Sequence, residues 1–269
     1  MNSNRLSRQS FLGDAGQATI ERSIVGVVGM GGGGSHFAVQ LAHIGFMNIV
    51  IFDHDVIDES NLNRMVVAIE ADVESRTLKT DAAKRRIREI NRATRVEAHN
   101  CRWQERPEAL RKCDLVFGCI DSFAERRELE TCCRRYLIPL VDIGMDVVMV
   151  GDESPVMGGQ VILSMPGGPC MFCLGFLTEK LLALEASKYG AAGPRAQVVW
   201  PNGVLASTAV GVAVNLLTDW TRSLRGPVYL EYRGNAGTVT EHPSLKYYQG
   251  GRCTHHPVDQ VGDPVFVKL

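Results

Sequence analysis

The glycine-rich run Gly26-Val-Val-Gly29-Met30-Gly31-Gly32-Gly33-Gly34-Ser35 constrains this chain more than any other stretch. It follows an apolar segment, Ser23 to Val28, that reads as a buried parallel strand. It precedes Ser35 to Ile44, where Phe37, Leu41 and Ile44 recur at helical spacing. A strand that turns through Gly-x-Gly-x-x-Gly into a helix leaves free N–H groups at the positive end of the helix dipole, a setting that suits a phosphate. Glycine is needed there because a Cβ would block close backbone approach and left-handed torsions. Alone, the pattern is weak evidence, because such turns also serve as plain connectors.

A second strand, Asn48 to Phe52, closes on Asp53, about 20 residues beyond the turn, where a nucleotide ribose would offer its hydroxyls. The two-part fingerprint points to a nucleotide without saying which. A helix is expected over Thr80 to Ile90, with its basic residues on a solvated face. Strands follow at Arg95 to Cys101, Asp114 to Ile120 and Ile138 to Ile143, with a helix over Ala124 to Tyr136. The fourth strand delivers Asp121 to the carboxyl edge of the sheet, where α/β ligands bind. This alternation predicts an α/β, doubly wound (Rossmann-like), mainly parallel sheet through residue 143.

After Gly144 the pattern changes. Met145 to Met157 reads as irregular, Gly159 to Ser164 as a strand, and Gly175 to Asn202, with Gly190, Gly193 and Pro194, as a mobile crossing segment. An apolar helix is expected over Val204 to Leu224. Val228 to Tyr232 and Gly237 to Glu241 form an expected antiparallel pair that extends the sheet. The 269 residues are read as a single domain, 1–143 holding nucleotide and 144–269 holding substrate and a metal-clamped tail.

Charge excludes two classes of partner. The 29 basic and 30 acidic residues nearly cancel, so no global field draws nucleic acid or an anionic membrane. The best spanning candidate, Val198 to Leu217, is interrupted by Pro201, Asn202 and Asn215, and Met1 to Arg5 lacks the apolar core of a signal peptide. A soluble cytoplasmic protein is expected. Its eight cysteines then read as reduced thiols or metal ligands rather than as a disulfide framework.

Cys170-x-x-Cys173 and Cys253-Thr-His255-His256 both lie in turn-forming sequence, and together they suit a tetrahedral Cys3His zinc site pinning the tail. A redox Cys-x-x-Cys or unrelated thiols are the alternatives. Either histidine can be the fourth ligand, and the x2 spacing favours His256. Arg64 and Lys79 follow strand two on the edge where the turn would hold phosphates, as phosphoryl or nucleotidyl transfer requires. Asp121 on that edge suits Mg²⁺. The Walker pattern is absent, because Ser35-His36 follows Gly34. Arg5-Leu-Ser-Arg8-Gln9 reads, from its residues alone, as a solvated tail.

Taken together, these residues resemble the ThiF/MoeB/HesA family, the bacterial relatives of ubiquitin-activating enzymes. The resemblance runs from Arg5 to His256. It rests on Arg5-Leu-Ser-Arg8-Gln, Val28-Gly-Met-Gly-Gly-Gly-Gly34, Asp53, Ser60-Asn61-Leu-Asn-Arg64, Lys79, Cys119-Ile-Asp121-Ser122 and Gly168-Pro-Cys-Met-Phe-Cys173. It implies that Gly29, Gly31, Gly32 and Gly34 cradle ATP and that Asp53 holds the ribose. Asn61, Arg64 and Lys79 would engage the phosphates, and Asp121 would support Mg²⁺ near the α-phosphate. Arg8 would reach across a homodimer into the partner's ATP site. The implied reaction is adenylation of the C-terminal carboxylate of a small β-grasp protein or peptide. Two departures stand out. Cys253-x-x-His256 replaces the family's second Cys-x-x-Cys, and no cysteine lies between Cys173 and Cys253 to take the activated carboxylate. The chain is therefore expected to stop at the acyl-adenylate. Alternatives are a dehydratase acting on a tRNA-base carboxylate, a dinucleotide oxidoreductase, which would leave Arg64, Lys79 and Asp121 without a purpose, and a nucleotide-sensing scaffold with a decayed site.

Overall fold

The computed structural model describes residues 5–149, 154–187, 196–221, 226–248, 250, 251, 253–257, 261 and 262. A 3-10 turn at Ser7–Leu12 leads into helix α1 (Gly13–Arg22), and β1 (Ile24–Val28) runs into the glycine turn. Then come α2 (Gly32–Ile44), β2 (Asn48–Phe52), α3 (Glu70–Glu74), α4 (Lys79–Ile90), β3 (Arg95–His99), β4 (Leu115–Gly118) and α5 (Phe123–Arg135). The second half holds β5 (Leu140–Val148), β6 (Val156–Ser164), α6 (Glu179–Ser187), α7 (Val199–Thr218), β7 (Val228–Arg233) and β8 (Thr238–Glu241).

One eight-stranded sheet has the order β3-β2-β1-β4-β5-β6-β7-β8. Neighbours from β3 to β5 pair in parallel, and those from β5 to β8 pair antiparallel. The doubly wound core with an antiparallel extension is thus as the sequence predicts. The central strands β1, β2 and β4 are apolar almost throughout because helices cover both faces. One face packs Phe37 and Leu41 of α2, Ala83 and Ile87 of α4 and Leu205 and Ala209 of α7. The other packs Trp103, Leu110, Leu129 and Cys133 together with Met171, Leu174 and Leu177 of the cysteine turn. Chain order reverses between β1 and β4, and that switch point opens a crevice at the carboxyl ends of the strands.

Three expectations are corrected. Residues 145–157 are not irregular throughout: β5 continues to Val148 and β6 begins at Val156, with Met145 opposite Gly159. The glycines that hide this arm are packing devices. A Cβ on Gly144 would strike the Arg126 guanidinium, and one on Gly159 would strike Leu205. The helix expected from Val204 instead starts at Val199 and ends at Thr218, because Pro201 falls in the first turn, where its missing N–H costs nothing. This is the helix among the described residues with the length and hydropathy of a membrane span, yet its Leu205, Ala206, Ala209, Val210 and Ala213 are buried in the core. The segment read as structureless contains α6, while Gly190, Gly193 and Pro194 lie outside the described residues.

Candidate active site and metal centre

A cleft of about 290 Å³ lies at the switch point, and it gathers Gly29, Gly31, Gly32, Asp53, Arg64, Lys79 and Asp121 from five separate segments. The glycines that build its wall serve different ends. Gly29 has φ +90°, and a Cβ there would meet the Cys119 carbonyl oxygen. A Cβ on Gly32 would strike the Asn202 amide, and one on Gly34 the Gly29 carbonyl. These positions are glycine because the protein itself is close. Gly31 differs, since a Cβ there would meet nothing within 4 Å although the residue lines the cleft. Gly31 is the N-cap of α2, no side chain caps this helix, and no acid sits in its first turn. The first N–H groups and the positive dipole end are left for an anion, so the cradle fits a phosphate.

Asp53 sits at the end of β2 and is tied to the turn. Its Oδ2 accepts from the Met30 N–H at 2.6 Å, and its Oδ1 accepts from the Asp55 N–H at 2.9 Å. Burial raises its carboxyl above the ordinary range, while Lys79 and the two N–H groups pull the other way. Lys79 opens α4 and donates from Nζ to Asp55 Oδ2 at 2.7 Å. Burial works against ionisation of Asp55, but the hydrogen bond and charge of Lys79 outweigh it and hold that carboxyl below its usual range. Arg64 donates to the Ser60 carbonyl and, at 3.2 Å, to Asn63 Oδ1, which leaves its guanidinium on the cleft lining. Asp121 Oδ1 accepts from Gln197 Nε2 at 3.3 Å.

Three sequence-predicted residues are absent from the cleft lining: Gly34, Asn61 and Arg8. Asn61 is buried, and its Oδ1 accepts from the Asp58 N–H at 3.3 Å within its own turn, so it holds the loop that carries Arg64. Arg8 is exposed on the N-terminal 3-10 turn, outside the cleft lining.

Residues that sequence reasoning missed fill the floor and far wall. Asn202 reaches the cleft from the second half of the chain. Arg126 is buried at 5% exposure, lines the cleft and is paired with the fully buried Asp142. Its Nε has no hydrogen-bond partner. Cys119 and Cys101 also line the cleft, but burial pushes both thiols up, Cys119 well above its ordinary value.

At the other end of α5, Cys170, Cys173, Cys253 and His255 bring their ligand atoms within 4.8 Å of one another. The Cys170–Cys173 sulfur separation is 3.6 Å, and His255 Nδ1 lies 3.5 and 3.4 Å from the two sulfurs. Tetrahedral zinc, with Zn–S near 2.3 Å and Zn–N near 2.0–2.1 Å, needs edges of about 3.8 and about 3.5 Å. The donor set therefore fits zinc. Of the two candidate histidines, His255 rather than His256 lies with all three sulfurs. His256 is buried, with Nε2 3.6 Å from Glu130 Oε2, whereas the His255 ring stacks on Phe172 and turns Nδ1 to the thiols. Sequence spacing could not reveal this, because the buried carboxylate that draws His256 inward sits on a distant helix.

Comparison with known proteins agrees with the fold. The sequence model of the ThiF family matches residues 3–249. The SAMP-activating enzyme E1 of Haloferax volcanii is 33% identical over 176 residues, which cover 64% of this chain and 61% of that protein. The adenylyltransferase and sulfurtransferase MOCS3 of Aedes aegypti is 30% identical over 175 residues, covering 63% of this chain and 38% of that one. The match thus spans less than two thirds of the length of either relative. The crystal structure of E. coli MccB with ATP superposes with a TM-score of 0.71 at 21% identity, over 90% of this chain and 72% of that one, a likeness of fold.

Proposed function

The chain belongs to the ThiF family, and from that membership and the cleft we propose that it uses ATP to adenylate a carboxylate. The observation that carries this reading is the convergence of Gly31, Asp53, Arg64, Lys79 and Asp121 on one crevice. An uncapped helix start receives phosphate, a carboxylate sits at the ribose position, and two cations face the region between them. Asp121 would hold Mg²⁺, which would offset charge on the phosphate oxygens.

In the proposed reaction, an oxygen of the substrate carboxylate attacks the α-phosphorus. The bond from that phosphorus to the β-phosphate oxygen breaks, and pyrophosphate leaves. No side-chain nucleophile is needed, since positioning and charge stabilisation suffice. The substrate class we favour is the C-terminus of a small β-grasp protein or peptide. The Haloferax relative, named for activating SAMP, supports that choice. The acyl-adenylate is the end product on this chain. The sequence has no cysteine between Cys173 and Cys253, and the raised thiols of Cys119 and Cys101 are poor nucleophiles near neutral pH.

The reading extends to organisation. The chain acts as one domain, residues 1–143 holding nucleotide and 144–269 holding substrate and zinc, and it works in the cytoplasm as a homodimer. Arg8, exposed and remote from its own cleft, would complete the site of a second copy. Zinc at Cys170, Cys173, Cys253 and His255 would be structural, clamping the tail, because protein fills all four positions. The test is ATP–pyrophosphate exchange with a panel of β-grasp proteins and peptides. Exchange lost in Arg64→Ala and Asp121→Ala supports the reading. ATP binding without exchange by any carboxylate overturns it.

A further inference from the structure

Helix α6 meets the rim of the cleft at one point, the start of α5, where Ser122 lines the crevice. None of its residues is buried, and Leu184 is 47% exposed, so apolar packing does not hold it. One carboxylate does. Glu185 Oε1 accepts from the Phe123 N–H at 3.0 Å. Its Oε2 accepts from the Ala124 N–H at 2.9 Å and from Ser122 Oγ at 3.2 Å. These donors are the N-cap and first turn of α5, which starts directly after Asp121. A negative charge at a helix start gains from the orphan N–H groups and the dipole together.

A second fastening stands on the return side. Gln197 donates from Nε2 to Asp121 Oδ1 at 3.3 Å, and its carbonyl accepts from Asn63 Nδ2 at 3.2 Å. Glu185 meets the wall at α5, and Gln197 meets both walls, Asp121 on one and Asn63, beside Arg64, on the other. Beside the first, Arg126 lines the cleft with its guanidinium paired to the buried Asp142.

We propose that Glu185 is a positioning residue that latches α6 across the carboxylate side of the cleft. Closed, the latch roofs the reacting carboxylate and keeps water from the acyl-adenylate. ATP does not depend on it, because the glycine turn, Asp53 and Lys79 lie on other segments. The identity of the incoming carboxylate rests on the adenylation reading; the latch itself does not.

The test compares Glu185→Ala and Glu185→Gln with the unaltered full-length chain. In both, amide hydrogen exchange over residues 179–187 should quicken by about tenfold or more, since losing a charge-assisted contact frees a helix with no fully buried residue. Circular dichroism and ATP affinity should stay unchanged. With a carboxylate substrate, Glu185→Ala should raise its KM and the release of AMP to water, leaving the KM for ATP in place, and Glu185→Asp should partly restore both. Unchanged exchange in α6, or equal shifts in both KM values, overturns the latch. Should no carboxylate support pyrophosphate exchange in the unaltered chain, the functional reading falls, while the amide exchange still decides the latch.

Discussion

The Met30 backbone N–H donates to Asp53 Oδ2 across 2.6 Å, which makes the glycine turn and the carboxylate closing β2 one hydrogen-bonded unit. The same carboxylate accepts from the Asp55 N–H, and Asp55 holds Lys79, so the unit reaches the first residue of α4. Asp53→Asn keeps the shape and removes the charge. A hydrogen bond to a charged group is worth about 1.5–3 kcal/mol, so ATP affinity should fall by about tenfold to a hundredfold. Isothermal titration measures this directly. An unchanged dissociation constant would show that Asp53 serves the turn and not the nucleotide.

The glycines separate folding from binding. Gly34→Ala places a methyl group against the Gly29 carbonyl and should lower the melting temperature markedly. Gly31→Ala meets no protein atom within 4 Å and has φ −73°, so stability should change by under about 1 kcal/mol. Its methyl group projects into space the triphosphate is proposed to use, and nucleotide binding should weaken by at least about tenfold. Thermal melts with and without ATP report both effects. Tight ATP binding by Gly31→Ala would move the phosphates elsewhere.

What the sequence made legible was whatever one short stretch carries in full. The strand–turn–helix at Gly29 to Gly34, the acid closing β2 and Asp121 after β4 can each be placed from local pattern and chain order. Arg126, Asp142 and Glu185 could not, because their meaning comes from contacts across 16 residues in one case and about 60 in the other. Local spacing was also a weak guide at the cysteine cluster. The x2 interval pointed to His256, but the choice between neighbouring histidines falls to Glu130, a helix residue far away in sequence.

That choice yields a metal prediction. Cys170→Ser and His255→Gln should each lose most bound zinc when the purified chain is analysed by elemental spectrometry. His256→Gln should keep its metal and instead lower the melting temperature, since it leaves the buried Glu130 without its ring partner. Zinc retained by His255→Gln but lost by His256→Gln would reverse the assignment.

The last prediction concerns pH and the buried pair beneath the cleft. Asp142 is 0% exposed, Arg126 is its ion-pair partner, and Asp142 Oδ1 has no hydrogen-bond donor. Burial pushes the Asp142 carboxyl up from 3.8 to about 7, against the pull of Arg126 and with a further push from Glu130. Between those values the folded chain keeps a proton that the unfolded chain has lost. The stability this group contributes is therefore full below about pH 4 and is lost as pH rises through about 7. The steepest slope one group can give is about 1.4 kcal/mol per pH unit. Asp142→Asn has no such proton. It carries a constant offset from exchanging the carboxyl for an amide beside Arg126, but not the slope. Carboxylates common to both proteins cancel in the difference between their stabilities. Urea unfolding of the two proteins at several pH values should thus show the unaltered chain losing stability relative to Asp142→Asn as pH rises through this range. A constant gap would mean that Asp142 stays ionised against Arg126 throughout, with the pair acting as a fixed strut under the cleft.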